Sequence, residues 1–168
     1  MKRLLILFAA IFASLSSLEA QNYMVVNSEQ VFKSITAYNS ALTEIETLSQ
    51  RYQTGVDAKF TAVEQMYNTY VAQRNSMTAA QRTARESEIL KAEEEANEYQ
   101  ESIFSTEGEL MKRRIELISP IQSRVFETIE SYAITNGFDL VIDLSSNATV
   151  LYNSERVDRT TDIINLLK

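Results

Sequence analysis

The chain has 168 residues and is acidic, with 16 Lys and Arg against 23 Asp and Glu and a formal net charge of −7. Because it contains no histidine and no cysteine, it lacks the commonest general base and metal ligand and can neither form disulfides nor carry a lipid on cysteine. Its negative charge would repel nucleic-acid phosphates, which excludes DNA and RNA as partners.

The first twenty residues have the three zones of a secretory signal peptide. Lys2 and Arg3 are followed by the apolar run 4–13 and by the small and polar stretch 14–20. We therefore predict a cleavable signal at residues 1–20 and export to the periplasm. No later apolar run approaches the roughly 20 residues that span a bilayer, so the mature protein is expected to be soluble.

A strand and then a long helix are predicted after the signal. Tyr23–Ser28 is short, apolar and β-branched, which is typical of a strand, and residues 21–35 are assigned to a β body. Apolar residues then recur every three or four positions, which predicts one helix over 37–74, about 57 Å long at 1.5 Å per residue. This first stripe consists of Tyr38, Leu42, Ile45, Leu48, Tyr52, Val56, Phe60, Val63, Tyr67 and Tyr70.

The chain is predicted to turn back near residues 75–78. Thr78 and Gln81 have the form of a capping box, which would begin a second helix. Its only breaker is Pro120, where we predict a bend. Residues 36–119 are therefore predicted to form an antiparallel coiled-coil hairpin arm, although the same positions would also suit the core of a helical bundle. The second stripe consists of Ile89, Ala92, Ala96, Tyr99, Ile103, Leu110, Ile115, Ile118, Ile121, Val125 and Ile129.

Residues 120–168 are predicted to complete the β body. Asn136-Gly137 is typical of a helix C-cap, and two strands follow, at 138–144 and 148–152. Thr160 or Thr161 is expected to cap a short final helix. Three short strands with open edges are marginal alone, so we expect a closed homo-oligomer. The predicted fold class is α+β and mostly helical, a long antiparallel coiled-coil hairpin arm on a small β-sheet body.

The chain offers little for catalysis. Asp139 and Asp143 would share one strand face, which we expect to be solvated. Glycines 55, 108 and 137 are isolated and cannot form a phosphate loop, and no histidine completes a metal site with the glutamates. We predict that the protein is not an enzyme and has no catalytic, cofactor-binding or metal-binding residues.

Charge is distributed unevenly along the predicted arm. Between Ala92 and Met111 there are seven glutamates and no basic residue, which makes an acidic shaft. The turn end is predicted to be a basic tip that faces an anionic membrane or lipid headgroups, with a merely solubilising role as the alternative. The tip residues are Arg74, Arg82, Arg85 and Lys91, set against Glu86 and Glu88.

The arm is also rich in aromatic residues and methionine. Two helices cannot bury all of these side chains, and adaptable Met with amphipathic Tyr suits a surface that holds many different apolar segments weakly. Some of them must nevertheless fill the seam. The candidate client-binding residues are Tyr52, Phe60, Met66, Tyr67, Tyr70, Phe104 and Met111.

Three segments at the ends of the chain resemble the Skp/OmpH family of periplasmic chaperones. They are 25–32 (VVNSEQVF), 119–152, which begins with Ser119-Pro120-Ile121 and contains NGFDLVID, and 157–164 (VDRTTDII). The coiled-coil middle is similar in composition only. The sequence departs from the family pattern at Asn27, where Asp is frequent, and in its acidic charge, since well-known members are strongly basic.

The resemblance implies a homotrimer in which strands from three subunits form the β body and three arms enclose a cavity for an unfolded outer-membrane protein, held without ATP. On that basis the oligomerisation residues would be Val25, Val26, Leu140, Ile142, Val150 and Tyr152. Two functions then compete. One is a holdase for outer-membrane β-barrel precursors, and the other is a structural adaptor whose coiled-coil arm docks one partner in the cell envelope.

Overall fold

The computed structural model describes residues 22–145 and 150–168, and the predicted signal peptide lies outside them. Most described residues are helical, and one small sheet accompanies the helices, which confirms the predicted α+β fold class. No helix in these two ranges is both long and apolar enough to cross a membrane. The elements are β1 (Tyr23–Val26), α1 (Ser28–Ser34), α2 (Thr36–Gln73), a 3₁₀ turn (Arg74–Ser76), α3 (Ala79–Phe104), α4 (Glu109–Thr135), β2 (Leu140–Asp143) and α5 (Thr160–Leu167).

The chain divides into two compact units. Among the described residues, the sheet unit comprises 22–35, 124–145 and 150–168, and the hairpin unit comprises Thr36–Ser123. Helix α4 contributes its first half to the hairpin unit and its second half to the sheet unit.

The sheet unit is built on two parallel strands. β1 and β2 pair from Tyr23 opposite Leu140 to Val26 opposite Asp143. The other edge of β1 is occupied by the segment 157–159, because the Val25 N–H donates to the Val157 carbonyl (2.9 Å) and the Arg159 N–H donates to the Val25 carbonyl (3.0 Å). With both edges taken, no further strand can pair with β1.

The prediction of a strand at 148–152 is wrong for the residues that the structure describes. Residues 150–152 belong to no strand, and 148–149 lie outside the described residues. Leu151 and Tyr152 are 94% and 84% exposed, so their side chains lack the packing that would hold them in a sheet.

One apolar core holds the sheet unit together. Met24 and Val26 alternate onto the same face of β1 and are fully buried against residues of α1, α4 and α5. The core consists of Met24, Val26, Val31, Val125, Ala133, Ile163 and Leu167. Strands from both ends of the chain thus share a single core with three helices.

Short-range hydrogen bonds define the ends of the helices in this unit. Gly137 has φ +70°, its N–H donates to the Ile134 carbonyl, and the Phe138 N–H donates to the Ala133 carbonyl, which confirms the predicted C-cap. The predicted cap of α5 is wrong, because Thr160 is the first helical residue. Its buried hydroxyl instead accepts the Asn27 N–H at 2.9 Å.

The hairpin unit turns where the sequence predicts. The Gln81 N–H donates to the Thr78 hydroxyl (3.3 Å) and the Thr78 N–H donates to the Gln81 amide oxygen (2.9 Å), which is a complete capping box. The chain runs antiparallel on the two sides of the turn, because residues that follow the turn contact residues that precede it at a similar distance along the chain. Arg113 pairs with Glu44 at 2.7 Å, Tyr99 lies against Gly55, and Tyr70 forms a hydrogen bond with Glu86. The buried seam residues are Ala41, Ile45, Val56, Ile89, Ala96 and Ile103.

The second helix of the hairpin is interrupted, contrary to the prediction of one helix with Pro120 as its only breaker. α3 ends at Phe104, Ser105 is extended, and α4 begins at Glu109. At this break the backbone of residue 108 passes close to the end of α3, which only glycine allows, because a Cβ atom at Gly108 would lie 2.4 Å from the Ile103 carbonyl oxygen. Pro120 lies inside α4, which continues to Thr135.

Candidate functional site

A shallow apolar groove lies between α2 and α3 near the turn. Tyr67 is 56% exposed and Leu90 is 65% exposed, although both are large apolar side chains. The groove has a volume of about 350 Å³ and is lined by Tyr67, Tyr70, Glu86, Ile89, Leu90 and Glu93. Exposed apolar surface that the chain leaves uncovered in this way is typical of a binding surface.

A hydrogen bond fixes one wall of this groove. The Tyr70 hydroxyl donates to the Glu86 carboxylate, and this bond, with smaller contributions from burial and the charge of Glu86, raises the pKa of Tyr70 above its ordinary value of 10.0. Arg74 and Arg82 act in the opposite direction. Tyr70 therefore stays neutral at physiological pH, and its ring is held against α3.

The other predicted client-binding residues do not line the groove that contains Tyr67 and Tyr70. Tyr52, Phe60 and Phe104 are half-buried, and Met111 on α4 is 37% exposed. Met66 lines a different shallow groove with Ala62, Gln65, Thr69 and Arg85. Client contact at these positions stays a prediction.

Four exposed apolar residues of the hairpin unit were not among the predicted client-binding residues. Leu90 lies in the groove, Leu42 and Val71 are each 44% exposed on α2, and Ile115 is 54% exposed on α4. Leu42 and Ile115 were predicted to lie in the apolar stripes of the hairpin. Leu90 follows Ile89 directly, and spacing alone cannot tell which of two consecutive apolar residues faces the partner helix.

The four cations of the predicted tip have different surroundings. Arg85 pairs with Glu88 at 2.7 Å, and Lys91 approaches Glu95 at 3.8 Å, both within α3. Arg74 and Arg82 are exposed and act electrostatically on Tyr70. The positive charge that remains available near the turn is therefore carried mainly by these two arginines.

The acidic shaft predicted from the sequence is solvent-facing. All seven glutamates are exposed, and within the described ranges the only salt bridge that any of them makes is the contact of Glu95 with Lys91. They are Glu93, Glu94, Glu95, Glu98, Glu101, Glu107 and Glu109. The α3 surface beyond the groove therefore carries a largely uncompensated negative charge.

The predicted oligomerisation residues divide into covered and accessible ones. Val25 and Val26 are 2% and 1% exposed within the single chain, and Ile142 and Val150 are half-buried. Leu140 is 56% exposed, opposite Tyr23, which is 47% exposed, and Tyr152 is 84% exposed. The accessible apolar surface of the sheet unit therefore includes Tyr23, Leu140 and Tyr152.

The sequence predicted that Asp143 lies on a solvated strand face, but its side chain is half-buried and hydrogen-bonded. Its carboxylate accepts the Ser28 N–H and hydroxyl at 3.0 and 2.6 Å, and the Ser145 N–H and hydroxyl at 2.9 and 2.8 Å. Burial raises the pKa of Asp143, but these hydrogen bonds outweigh it and hold the pKa below its ordinary value of 3.8. The carboxylate ties the end of β2 to the first residue of α1, which is a structural role.

Within residues 22–145 and 150–168, no group of three or more acidic side chains is arranged to hold a metal ion. Asp139 is exposed and accepts the Asn22 N–H at 3.2 Å. The described residues present four surface features: the groove, the two tip arginines, the acidic shaft and the exposed apolar residues of the sheet unit.

These features define a mostly helical α+β protein in which, in chain order, an antiparallel helical hairpin follows the first strand of a parallel sheet and precedes the second. The family model described as "Outer membrane protein (OmpH-like)" matches residues 22–167, and the chain belongs to that family. It is 22% identical over 161 residues to the Chaperone protein Skp of Yersinia enterocolitica, covering 93% of this chain and 92% of that protein.

A solved structure shares the fold. The crystal structure of an OmpH-like outer membrane chaperone from Caulobacter crescentus superposes with a TM-score of 0.66 at 12% identity, covering 88% of this chain and 84% of that one. Membership of the OmpH-like family supports a chaperone role.

Proposed function

We propose that this protein is a periplasmic holdase that binds unfolded outer-membrane β-barrel proteins without ATP and prevents their aggregation. The observation that carries the proposal is the exposed apolar groove on the hairpin, in which Tyr67 and Leu90 are more than half accessible. The OmpH-like family and the chaperone relative from Yersinia enterocolitica support it further.

A holdase of this kind needs no chemical step. It binds the unfolded state of its client and lowers the free concentration of that state by mass action. When the free holdase is present at 100 times its Kd, binding lowers the free energy of the unfolded client by about 2.7 kcal/mol. Several weak apolar contacts suit this task, because they exclude water from many different segments without demanding one sequence.

The direct test is suppression of aggregation. We expect stoichiometric amounts of the mature protein to suppress light scattering by several unrelated barrel proteins diluted from urea, without nucleotide. The double variant Tyr67→Ser/Leu90→Ser should suppress it less than wild type. As a matched control, Ile134→Ser/Leu166→Ser removes two exposed apolar side chains from the sheet unit (72% and 59% exposed) and should not weaken suppression.

The alternative function is a structural adaptor that docks one folded partner through its hairpin. Failure to protect every barrel tried, together with tight binding to a single folded envelope protein, would support the adaptor and overturn the holdase.

We further propose that three copies assemble through their sheet units and that the hairpins enclose the client. The exposed Tyr23, Leu140 and Tyr152 support this, because isolated two-stranded sheets with apolar surface tend to be covered. Sedimentation equilibrium should give a trimer mass at micromolar concentration, and Leu140→Asp/Tyr152→Asp should lower it. A wild-type monomer under these conditions would contradict both the trimer and the cavity.

The turn end of the hairpin is proposed to contact anionic lipid headgroups. Because Arg85 and Lys91 are engaged with neighbouring glutamates, Arg74→Glu/Arg82→Glu should weaken binding to anionic vesicles more than Arg85→Glu/Lys91→Glu does. Co-sedimentation with vesicles containing phosphatidylglycerol measures this. Equal binding by wild type and both double variants would leave the tip with a solubilising role only.

A further inference from the structure

We propose that the groove between α2 and α3 selects cationic amphipathic segments, in which an aromatic or aliphatic residue is followed two positions later by Lys or Arg. This inference rests on the proposed holdase function and specifies its client class. It joins two observations, the exposed apolar groove and the acidic surface of α3 that begins at its rim.

The groove supplies the apolar part of the site. Its exposed walls are Tyr67 and Leu90, and its volume of about 350 Å³ accommodates individual side chains rather than a folded domain. Tyr70, held by Glu86, gives it a fixed edge. An aromatic or branched aliphatic side chain of an extended segment fits this chemistry, because it removes the exposed apolar surface from water.

The charge beside the groove decides what should follow that side chain. Glu93 lines the groove about one helical turn beyond Leu90, and Glu94 follows it directly, so both carboxylates lie about 5 to 6 Å along α3 from Leu90 and flank its line. In an extended peptide, the residue two positions away lies about 7 Å along the chain and points to the same side. A basic residue at this position is therefore within reach of both Glu93 and Glu94.

Neither glutamate makes a salt bridge within the described residues, so a bound Lys or Arg would not have to displace a basic residue of the chain. The positive charge near the groove, from Arg74 and Arg82, lies at the side of Tyr70. An acidic segment laid along α3 would face the glutamates instead and would be repelled.

The test uses three labelled peptides of equal length that carry the same single Phe, with Lys, Gln or Glu two positions after it. Fluorescence anisotropy with the mature protein should show the Lys peptide binding about tenfold more tightly than the Glu peptide at low salt. Two exposed ion pairs of ordinary strength are sufficient for that ratio. The difference should largely vanish in 0.5 M NaCl, where the charges are screened.

A charge-matched pair of variants locates the effect. Glu93→Lys/Glu94→Lys should weaken the Lys peptide several-fold and strengthen the Glu peptide. Glu127→Lys/Glu130→Lys changes the net charge equally, at exposed positions of the sheet unit, and should change both affinities much less. Circular dichroism should show the same helicity in both variants, because all four positions are exposed on helices.

Three results would overturn the inference. They are equal affinity for the Lys and Glu peptides, indistinguishable behaviour of the two double variants, and a change of sedimentation mass in Leu90→Ser, which would mean that a second copy covers the groove. The proposed function fails separately. If barrels are held as well by Glu93→Lys/Glu94→Lys as by wild type, the holdase stands without this selectivity. If peptides are discriminated but no barrel is protected, the selectivity stands without the holdase.

Discussion

The sheet unit and the hairpin unit bury their apolar residues in different ways. In the sheet unit, Met24, Val31, Val125 and Ile163 from four different elements are fully buried in one cluster. In the hairpin unit, the buried residues are spread along the length of the helices, and among them only Val56 and Ala96 are 2% exposed or less. Neither arrangement covers all of the apolar surface, because Ile134 and Tyr152 in the sheet unit are exposed just as Tyr67 and Leu90 in the hairpin unit are.

The polar contacts differ in the same way. The sheet unit is tied by hydrogen bonds between residues far apart in the chain, such as Ser28 with Asp143 and Asn27 with Thr160. The hairpin relies more on bonds within one helix, such as Gln53 with Asp57. Stability should therefore depend mainly on the sheet unit, and the hairpin can expose binding surface at little cost to the fold.

The largest expected effect is the loss of a core side chain in the sheet unit. Ile163→Ala should lower the free energy of unfolding by about 2–5 kcal/mol, because Ile163 is 0% exposed and its removal leaves a cavity. Ile134→Ala, at a position that is 72% exposed, should change it by less than about 0.5 kcal/mol. Urea denaturation measures both. Similar costs would mean that the core is not where the structure has it.

The next effect tests the break between α3 and α4. Gly108→Ala should destabilise the protein by about 1–3 kcal/mol, because the new Cβ atom would meet the rigid Ile103 carbonyl at 2.4 Å. Gly55→Ala places a Cβ atom 3.1 Å from the Tyr99 hydroxyl, the far end of a movable side chain, and gains helix propensity. Its effect on thermal unfolding should be close to zero. A tolerated Gly108→Ala would contradict the close approach at the break.

Asp143→Asn should cost about 1–2 kcal/mol at pH 7, since four donors converge on this carboxylate. The pKa of Asp143 is lowered by folding, so the charged form stabilises the fold above the unfolded pKa of 3.8, and this contribution disappears as the pH falls through the folded pKa. The difference in stability between wild type and variant should therefore shrink below about pH 4.

Urea titrations at several pH values measure that difference. Asp139→Asn serves as the control, because Asp139 accepts one exposed hydrogen bond at 3.2 Å and should lose much less. A gap that stays constant down to pH 2 would contradict the role assigned to the Asp143 charge.

The smallest effect is expected at the turn of the hairpin. Thr78→Ala removes the capping box and should cost about 1 kcal/mol, felt mainly in the first turn of α3. Hydrogen exchange of the amides at 79–82 should speed up. Thr83→Ala, at an exposed position inside α3, should leave exchange at the turn unchanged.

The elements that the sequence predicted well depend on local chemistry. The capping box needs only Thr78 and Gln81, three residues apart, and the end of α4 needs only the positive φ that Gly137 accepts. The groove could be predicted in part, because Tyr67 and Tyr70 stand out as aromatic residues in excess of what a two-helix seam can bury.

The elements that were missed depend on contacts between distant parts of the chain. Asp143 could not be assigned from the sequence, because its partner Ser28 is 115 residues away. The alternation at 148–152 is typical of a strand, but the edge of β1 that it would need is already occupied by 157–159. The break at Gly108 was the exception, since the preceding Ser105-Thr106 offered a local turn signal that the continuous apolar stripe outweighed.

The parallel pairing of β1 with β2 has a consequence for how the chain folds. Asn22 and Asp139, which bond each other beside the sheet, are 117 residues apart, and a loop of that length is slow to close. The hairpin shortens the loop, because its helices can pair outward from the turn until Glu44 meets Arg113. β1 precedes the whole hairpin in the chain, whereas β2 and most core partners of Met24 and Val26 follow it, so these two side chains can reach their core only once the segments beyond the hairpin are present.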